Sequence, residues 1–129
     1  MRGVHWFRND LRLRDNGALA ALADRVTEWV PVFVFDPELF DRSLQRPRDR
    51  FLFSSLARLR EDLAARGVPL LTIAGRPERV LPRLLAKLDA QTLSLAEADT
   101  PYATRRDARV REAIESQGCL LYTSDAADE

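Results

Sequence analysis

The run Trp29-Val-Pro-Val-Phe-Val-Phe35 constrains the fold more than any other feature of the chain. Its apolar residues are continuous rather than alternating, so a strand built from it must be covered on both faces, as in a parallel sheet flanked by helices. Pro31 brings no ladder donor and is expected among the first residues of that strand. Shorter apolar runs at 3–7, 70–74 and 92–96 read as three more strands. Segments of helical period lie between them. Asp15-Asn16 can cap a helix over 18–23, and the polar stretch 36–47, with its two prolines, reads as a loop. A long helix follows from about Asp49 to Arg66, because Leu52, Leu56, Leu59 and Leu63 fall at i, i+4, i+7 and i+11 along one stripe. Burying those four leucines contributes roughly 6–12 kcal/mol before conformational entropy is charged. Gly67 suits the position after that helix, and Pro69 forbids its continuation. A third helix is expected over 77–88, with Pro82 as an irregularity inside it. Thr100-Pro101, a cap followed by a first-turn proline, opens a last helix reaching Gln117-Gly118.

The order βαβαβαβα implies parallel crossovers and a doubly wound, Rossmann-like α/β sheet, with four native strands and the fifth missing or replaced by the C-terminal tail. A chain of 129 residues suffices for one such domain. Twenty basic residues balance twenty acidic ones, which argues against a general polyanion binder. No apolar run approaches the ~18 residues of a membrane span, and the N-terminus lacks the layout of a signal peptide. A cytoplasmic location is therefore expected. The single cysteine, Cys119, excludes an internal disulfide framework and a multi-cysteine metal site.

Residues 119–129 break the style of the rest. Every basic residue except Lys87 is Arg, as a GC-rich coding sequence would give, yet this stretch holds no Arg and the only Cys. It resembles the conceptual translation of a transposon-type sequencing adaptor over its whole length. The expected division is thus a truncated α/β domain at 1–118 and a non-native tail at 119–129. Without a native fifth strand, Leu93 and Leu95 would lie on an exposed sheet edge, although 120–123 is apolar enough to occupy it.

A doubly wound sheet takes its ligands beyond the carboxyl ends of its strands. Neither G-x-G-x-x-G nor G-x-x-x-x-G-K-[ST] occurs, which disfavours dinucleotide dehydrogenases and P-loop ATPases. His5, Trp6 and Trp29 sit in strands and read as packing residues. The distinctive stretch is Val4-His-Trp-Phe-Arg-Asn-Asp-Leu-Arg-Leu-Arg-Asp-Asn16, an aromatic strand followed at once by alternating arginines and acids. Arg8, Asp10, Arg12 and Arg14 are read as an interdomain seam, since planar arginine–carboxylate forks fix orientation. The competing readings are direct ligand contact and a solvated surface ion network.

This stretch, with its Arg-x-Asp-Leu-Arg-x-x-Asp-Asn signature, resembles the N-terminus of the DNA photolyase/cryptochrome family. Further matches follow in the family's order: Val32 to Pro37, Arg50-Phe51-Leu52, Gly75-x-Pro77, Pro101-Tyr102 and Arg106-Asp107. The resemblance covers 1–118. It implies an α/β domain that can hold a light-harvesting antenna, whether a folate, a deazaflavin or a flavin. The FAD, the electron-transferring tryptophans and the groove for a flipped pyrimidine dimer would belong to a helical C-terminal domain absent from this sequence. UV-damaged DNA would be a partner of the full-length parent only, and no membrane partner is expected. The chain alone is expected to have no repair activity, to contain no catalytic residue and to bind no FAD. Antenna contacts of deazaflavin-type relatives map onto Asn9, Asp36, Arg48, Phe53, Ala98 and Thr100. The family's Asp-x-Glu-Pro-Tyr reads Ala98-Asp-Thr-Pro-Tyr102 here, so both acidic positions are lost. Asp36 has a second reading as the first residue of an Asp-Pro turn. A cryptochrome-type blue-light photoreceptor is the nearest alternative function. A stand-alone nucleotide-binding or response-regulator-like module is a third, and it lacks a phosphate loop or an acidic cluster.

Overall fold

A computed structural model of the chain describes residues 1–39 and 47–124. Its elements are β1 (Arg2–Phe7), α1 (Gly17–Ala23), β2 (Glu28–Phe35), α2 (Pro47–Ala64), β3 (Leu71–Ala74), α3 (Pro77–Leu88), β4 (Thr92–Ala96), α4 (Pro101–Glu115) and β5 (Leu120–Ser124). All five strands are parallel, in the order β3-β2-β1-β4-β5. The chain builds leftward from β1 to β3 and then returns to the other side of β1. The reversal falls between β1 and β4, and this is the topological switch point.

Alternate residues of each strand feed two cores. Val4, Trp6, Val32, Val34, Leu93, Leu95 and Leu121 face Leu81 and Leu85 of α3 and Val110 and Ile114 of α4. On the opposite face Phe7 packs with Leu19 of α1 and with Leu59 and Leu63 of α2, the inner part of the leucine stripe. The run 29–35 is covered on both sides, which is why it is continuously apolar.

Local chemistry explains the boundaries. Asn16 caps α1 by accepting from the Leu19 amide at 3.1 Å, and Thr100 caps α4 by accepting from the Ala103 amide at 3.1 Å. α2 begins at Pro47, earlier than expected, because a proline is at home in a helix's first turn where amides have no partner. Gly67 takes φ +75, the left-handed value that ends the segment after α2. Pro31 is the fourth residue of β2. Pairing with β3 begins only at Val32, so Pro31 lies where β2 has a neighbour on one side alone and alternate donors have no ladder to complete. Pro82 sits inside α3 without ending it.

The edge beside β4 is occupied. Leu120 to Ser124 pair in parallel with Thr92 to Ala96, so Leu93 and Leu95 are fully buried rather than exposed. The apolar character of 120–123 and the open ladder of β4 account for that difference. No described helix is long and apolar enough to cross a membrane.

Candidate functional site

The loops at the carboxyl ends of β1, β2 and β4 meet the first two turns of α4, and most of the charged chemistry lies there. Arg8 follows β1 with its side chain on the α4 side of the sheet. It is 9% exposed and donates through Nη1 to both carboxylate oxygens of Asp107 at 2.6 and 2.8 Å. Its Nη2 donates to the carbonyl of Ala96 at the end of β4. One guanidinium therefore ties β1, β4 and α4 together across the switch point. Burial lowers the Arg8 pKa below its ordinary value against the opposing pull of Asp107.

Asp36, at the end of β2, is 2% exposed. Its Oδ1 accepts from the Glu38 amide at 3.0 Å, so the Asp-Pro turn forms as well. Its Oδ2 accepts from the Tyr102 hydroxyl at 2.5 Å and from Arg106 Nη1 at 3.4 Å. Burial, reinforced by Asp36, raises the Tyr102 phenol well above its ordinary range. Both guanidiniums lie against Trp6, with the Arg8 and Arg106 guanidinium carbons 4.9 and 5.0 Å from its ring centroid. These contacts combine cation–π attraction with the two ion pairs.

The other face carries a second buried network. His5 Nε2 lies 2.9 Å from Asp10 Oδ2, and His5 Nδ1 lies 2.6 Å from the Ser94 hydroxyl on β4. Asp10 also accepts from the Arg8 amide and from Asn16 Nδ2, each at 2.9 Å. Burial pushes the Asp10 carboxyl up, but the bonds from His5, Arg8 and Asn16 outweigh it and leave the pKa lowered. The group is closed to solvent and to substrate, so it positions the loop rather than performing chemistry.

The residues singled out in the sequence divide accordingly. Arg8 and Asp10 turn inward. The Asp10 carboxylate is satisfied within the chain, whereas Arg8 is engaged through its two terminal nitrogens and leaves its buried Nε without a hydrogen-bond partner among the described residues. Arg12 and Arg14 are exposed, Arg12 donating only to the Asp15 carbonyl at 3.1 Å. Asn9 is exposed at the end of β1 with no hydrogen bond to another described residue. Phe53, in the second turn of α2, sits with its ring centroid 6.2 Å from that of Phe35. The Thr100 hydroxyl is engaged as a helix cap. Ala98 is half-buried between β4 and that cap. The side chain of Arg48 lies outside the described residues. Asn9, Asp36, Phe53 and Thr100 are thus gathered at the carboxyl end of the sheet, three of them on loops leaving neighbouring strands.

An antenna chromophore can be tested against this donor set. Both oxygens of Asp36 and the hydroxyl of Thr100 already have partners, so neither is left seeking a ligand. Asn9 is exposed and the Phe35 and Phe53 rings stand 6.2 Å apart, an amide and two aromatic faces of the kind that hold a planar ring by hydrogen bonding and stacking. Sequence reasoning gave no role to Tyr102, Arg106 or Ser94. The i, i+4 spacing of Tyr102 and Arg106 on one face of α4 was the available signal.

Comparison with known proteins completes the description. The DNA photolyase family model matches residues 3–127. A deoxyribodipyrimidine photo-lyase from Halobacterium salinarum is 37% identical over 124 residues, covering 89% of this chain and 26% of that protein. A cryptochrome DASH from Natronomonas pharaonis is 34% identical over 124 residues, covering 92% of this chain and 26% of its own length. The crystal structure of the archaeal photolyase of Sulfolobus tokodaii, described with two FAD molecules and a novel light-harvesting cofactor, superposes with a TM-score of 0.89 at 28% identity. That match covers 97% of this chain and 29% of the archaeal one. The chain spans about a quarter of the length of these relatives. With the charged loop after β1, the 3-2-1-4-5 sheet and the family match in agreement, the chain belongs to the DNA photolyase family.

Proposed function

We propose that this chain is the N-terminal light-harvesting domain of a light-driven deoxyribodipyrimidine photolyase. The observation that carries the reading is the gathering of Asn9, Asp36, Phe53 and Thr100 at the carboxyl end of a Rossmann-like sheet, in a chain matching the family almost end to end. In this reading Asn9 donates to the antenna, and Phe53 with Phe35 forms the wall on which its ring rests. Arg48 supplies positive charge at the start of α2. Asp36 and Thr100 act by holding the loops, Asp36 through Tyr102 and Arg106, and Thr100 by starting α4. A bound folate, deazaflavin or flavin would absorb light and pass the excitation to a reduced FAD in a helical partner domain.

Arg8 and Asp10 fix the shape of the β1 loop so that Arg12 and Arg14 are presented to that partner domain. The chain by itself carries no catalytic residue, repairs no lesion, and leaves the catalytic FAD and the damaged DNA to the rest of the parent protein. A cytoplasmic location accords with this work. The experiment is light-dependent repair by the intact gene product, with thymine dimers in an oligonucleotide and reduced FAD bound. Loss of dimers under near-UV or blue light, and none from this chain alone, is the expected result. A photochemically active flavoprotein that leaves the dimers intact overturns it in favour of a photoreceptor. That second reading draws on the cryptochrome relative, which matches at nearly the same identity as the photolyase.

A further inference from the structure

The loop after β1 crosses the gap between α1 and α2. Leu11 and Leu13 lean into the core beside Leu59 and Leu63. Between this loop and α2 runs an open groove lined by Leu11, Arg12, Leu13 and Arg14 on one side and by Arg58, Asp62, Ala65 and Arg66 on the other. Arg58 and Asp62 stand at i and i+4 on one exposed face of α2, and Ala65 and Arg66 lie just past its end. Four guanidiniums thus surround a single carboxylate.

Among the described residues none of these arginines, nor Asp62, has an ion-pair partner. By contrast Arg8 and Arg106, on the α4 side of the sheet, are both paired with acids. A chain with no net charge has therefore concentrated unneutralised positive charge in one cleft. Leaving four arginines close together costs repulsion, which a carboxylate-bearing ligand would relieve through forked contacts.

We propose that this groove docks an acidic, partly apolar peptide segment of a partner domain. The proposal rests on the docking role given above to Arg12 and Arg14 and extends it to Arg58 and Arg66. Two features favour a peptide over nucleic acid. Leu11, Leu13 and Ala65 offer an apolar floor that a sugar-phosphate backbone does not use. Asp62 in the middle of the groove repels phosphates, yet can accept from a peptide amide or hydroxyl. The chain also lacks the broad positive field that nucleic-acid binding draws on.

The test is fluorescence anisotropy of the 129-residue chain with a labelled peptide alternating Glu and Leu, against the same peptide with Gln for Glu and against duplex DNA. Saturable binding with Kd on the order of 10 µM is expected for the acidic peptide alone, weakening several-fold between low and physiological salt. Arg58→Gln with Arg66→Gln, both exposed substitutions, should weaken it about tenfold, equivalent to about 1.4 kcal/mol, with an unchanged circular dichroism spectrum. Equal binding of the Gln peptide, tighter binding of DNA, or no binding at all overturns the proposal. If Arg12→Gln with Arg14→Gln abolishes binding while the α2 pair has no effect, the groove is wrong and the earlier docking role stands.

Discussion

Asp10→Asn is the perturbation that most directly probes the loop on which the site is built. Three donors converge on this carboxylate at 2.9 Å: the Arg8 amide on Oδ1, and Asn16 Nδ2 and His5 Nε2 on Oδ2. An asparagine keeps the shape and can keep the two donors on one oxygen. Its own NH2 group then faces the Arg8 amide, donor against donor. One bond to a charged acceptor is lost outright, at about 1.5–3 kcal/mol, and the two that remain lose their charge assistance. The total is about 3 kcal/mol, which for a domain of this size lowers Tm by about 10 °C. The cost carries a pH signature. The folded pKa of Asp10 is depressed, so its contribution is full above the unfolded value of about 4 and disappears as pH falls through the lower folded value. Urea unfolding followed by tryptophan fluorescence should therefore show a wide gap between wild type and variant at neutral pH that closes in acid. A gap below about 0.5 kcal/mol at pH 7, or one that stays constant down to pH 3, refutes the reasoning.

Other outcomes follow from the same contacts. Tyr102→Phe removes the hydroxyl that Asp36 accepts, so ultraviolet titration of the wild type should show one tyrosine resisting ionisation far into alkali, and the variant should lack that late step. Gly75→Ala should cost about 1–3 kcal/mol by urea unfolding, because Gly75 has φ +141 and a Cβ there would meet Val80 Cγ1 at 2.6 Å. Truncation after Gly118 strips β5 from β4, removes buried Leu121 and bares the sheet edge. It should cost at least about 3 kcal/mol and promote association, read by unfolding and by gel filtration.

The sequence made the scaffold legible where one local pattern decided the outcome. The strand at 92–96 and the helix at 77–88 emerge with the bounds the structure shows, since each is bracketed by turn residues or a first-turn proline. The cap at Asn16 and the stop at Gly67 were likewise local decisions. The charged loop was legible as important, but the direction of each charge was not. Arg8 turns inward because Asp107 waits ninety-nine residues later, and no short-range pattern announces such a pair. For the same reason Asp36 looked available while Tyr102 and Arg106, from a different crossover, already engage it. Long-range partners decide which polar groups face solvent, and periodicity is blind to them.

The central claim is that the carboxyl end of this sheet receives a light-absorbing ring, and a binding measurement tests it most directly. The purified chain is dialysed to equilibrium against a reduced folate, a deazaflavin and a flavin in turn, and the retained chromophore is read by absorbance. The account predicts that one of the three is held at one per chain, and that Asn9→Ala with Phe53→Ala releases it while the fold persists by circular dichroism. Retention of none, or retention unaffected by the paired substitution, contradicts it.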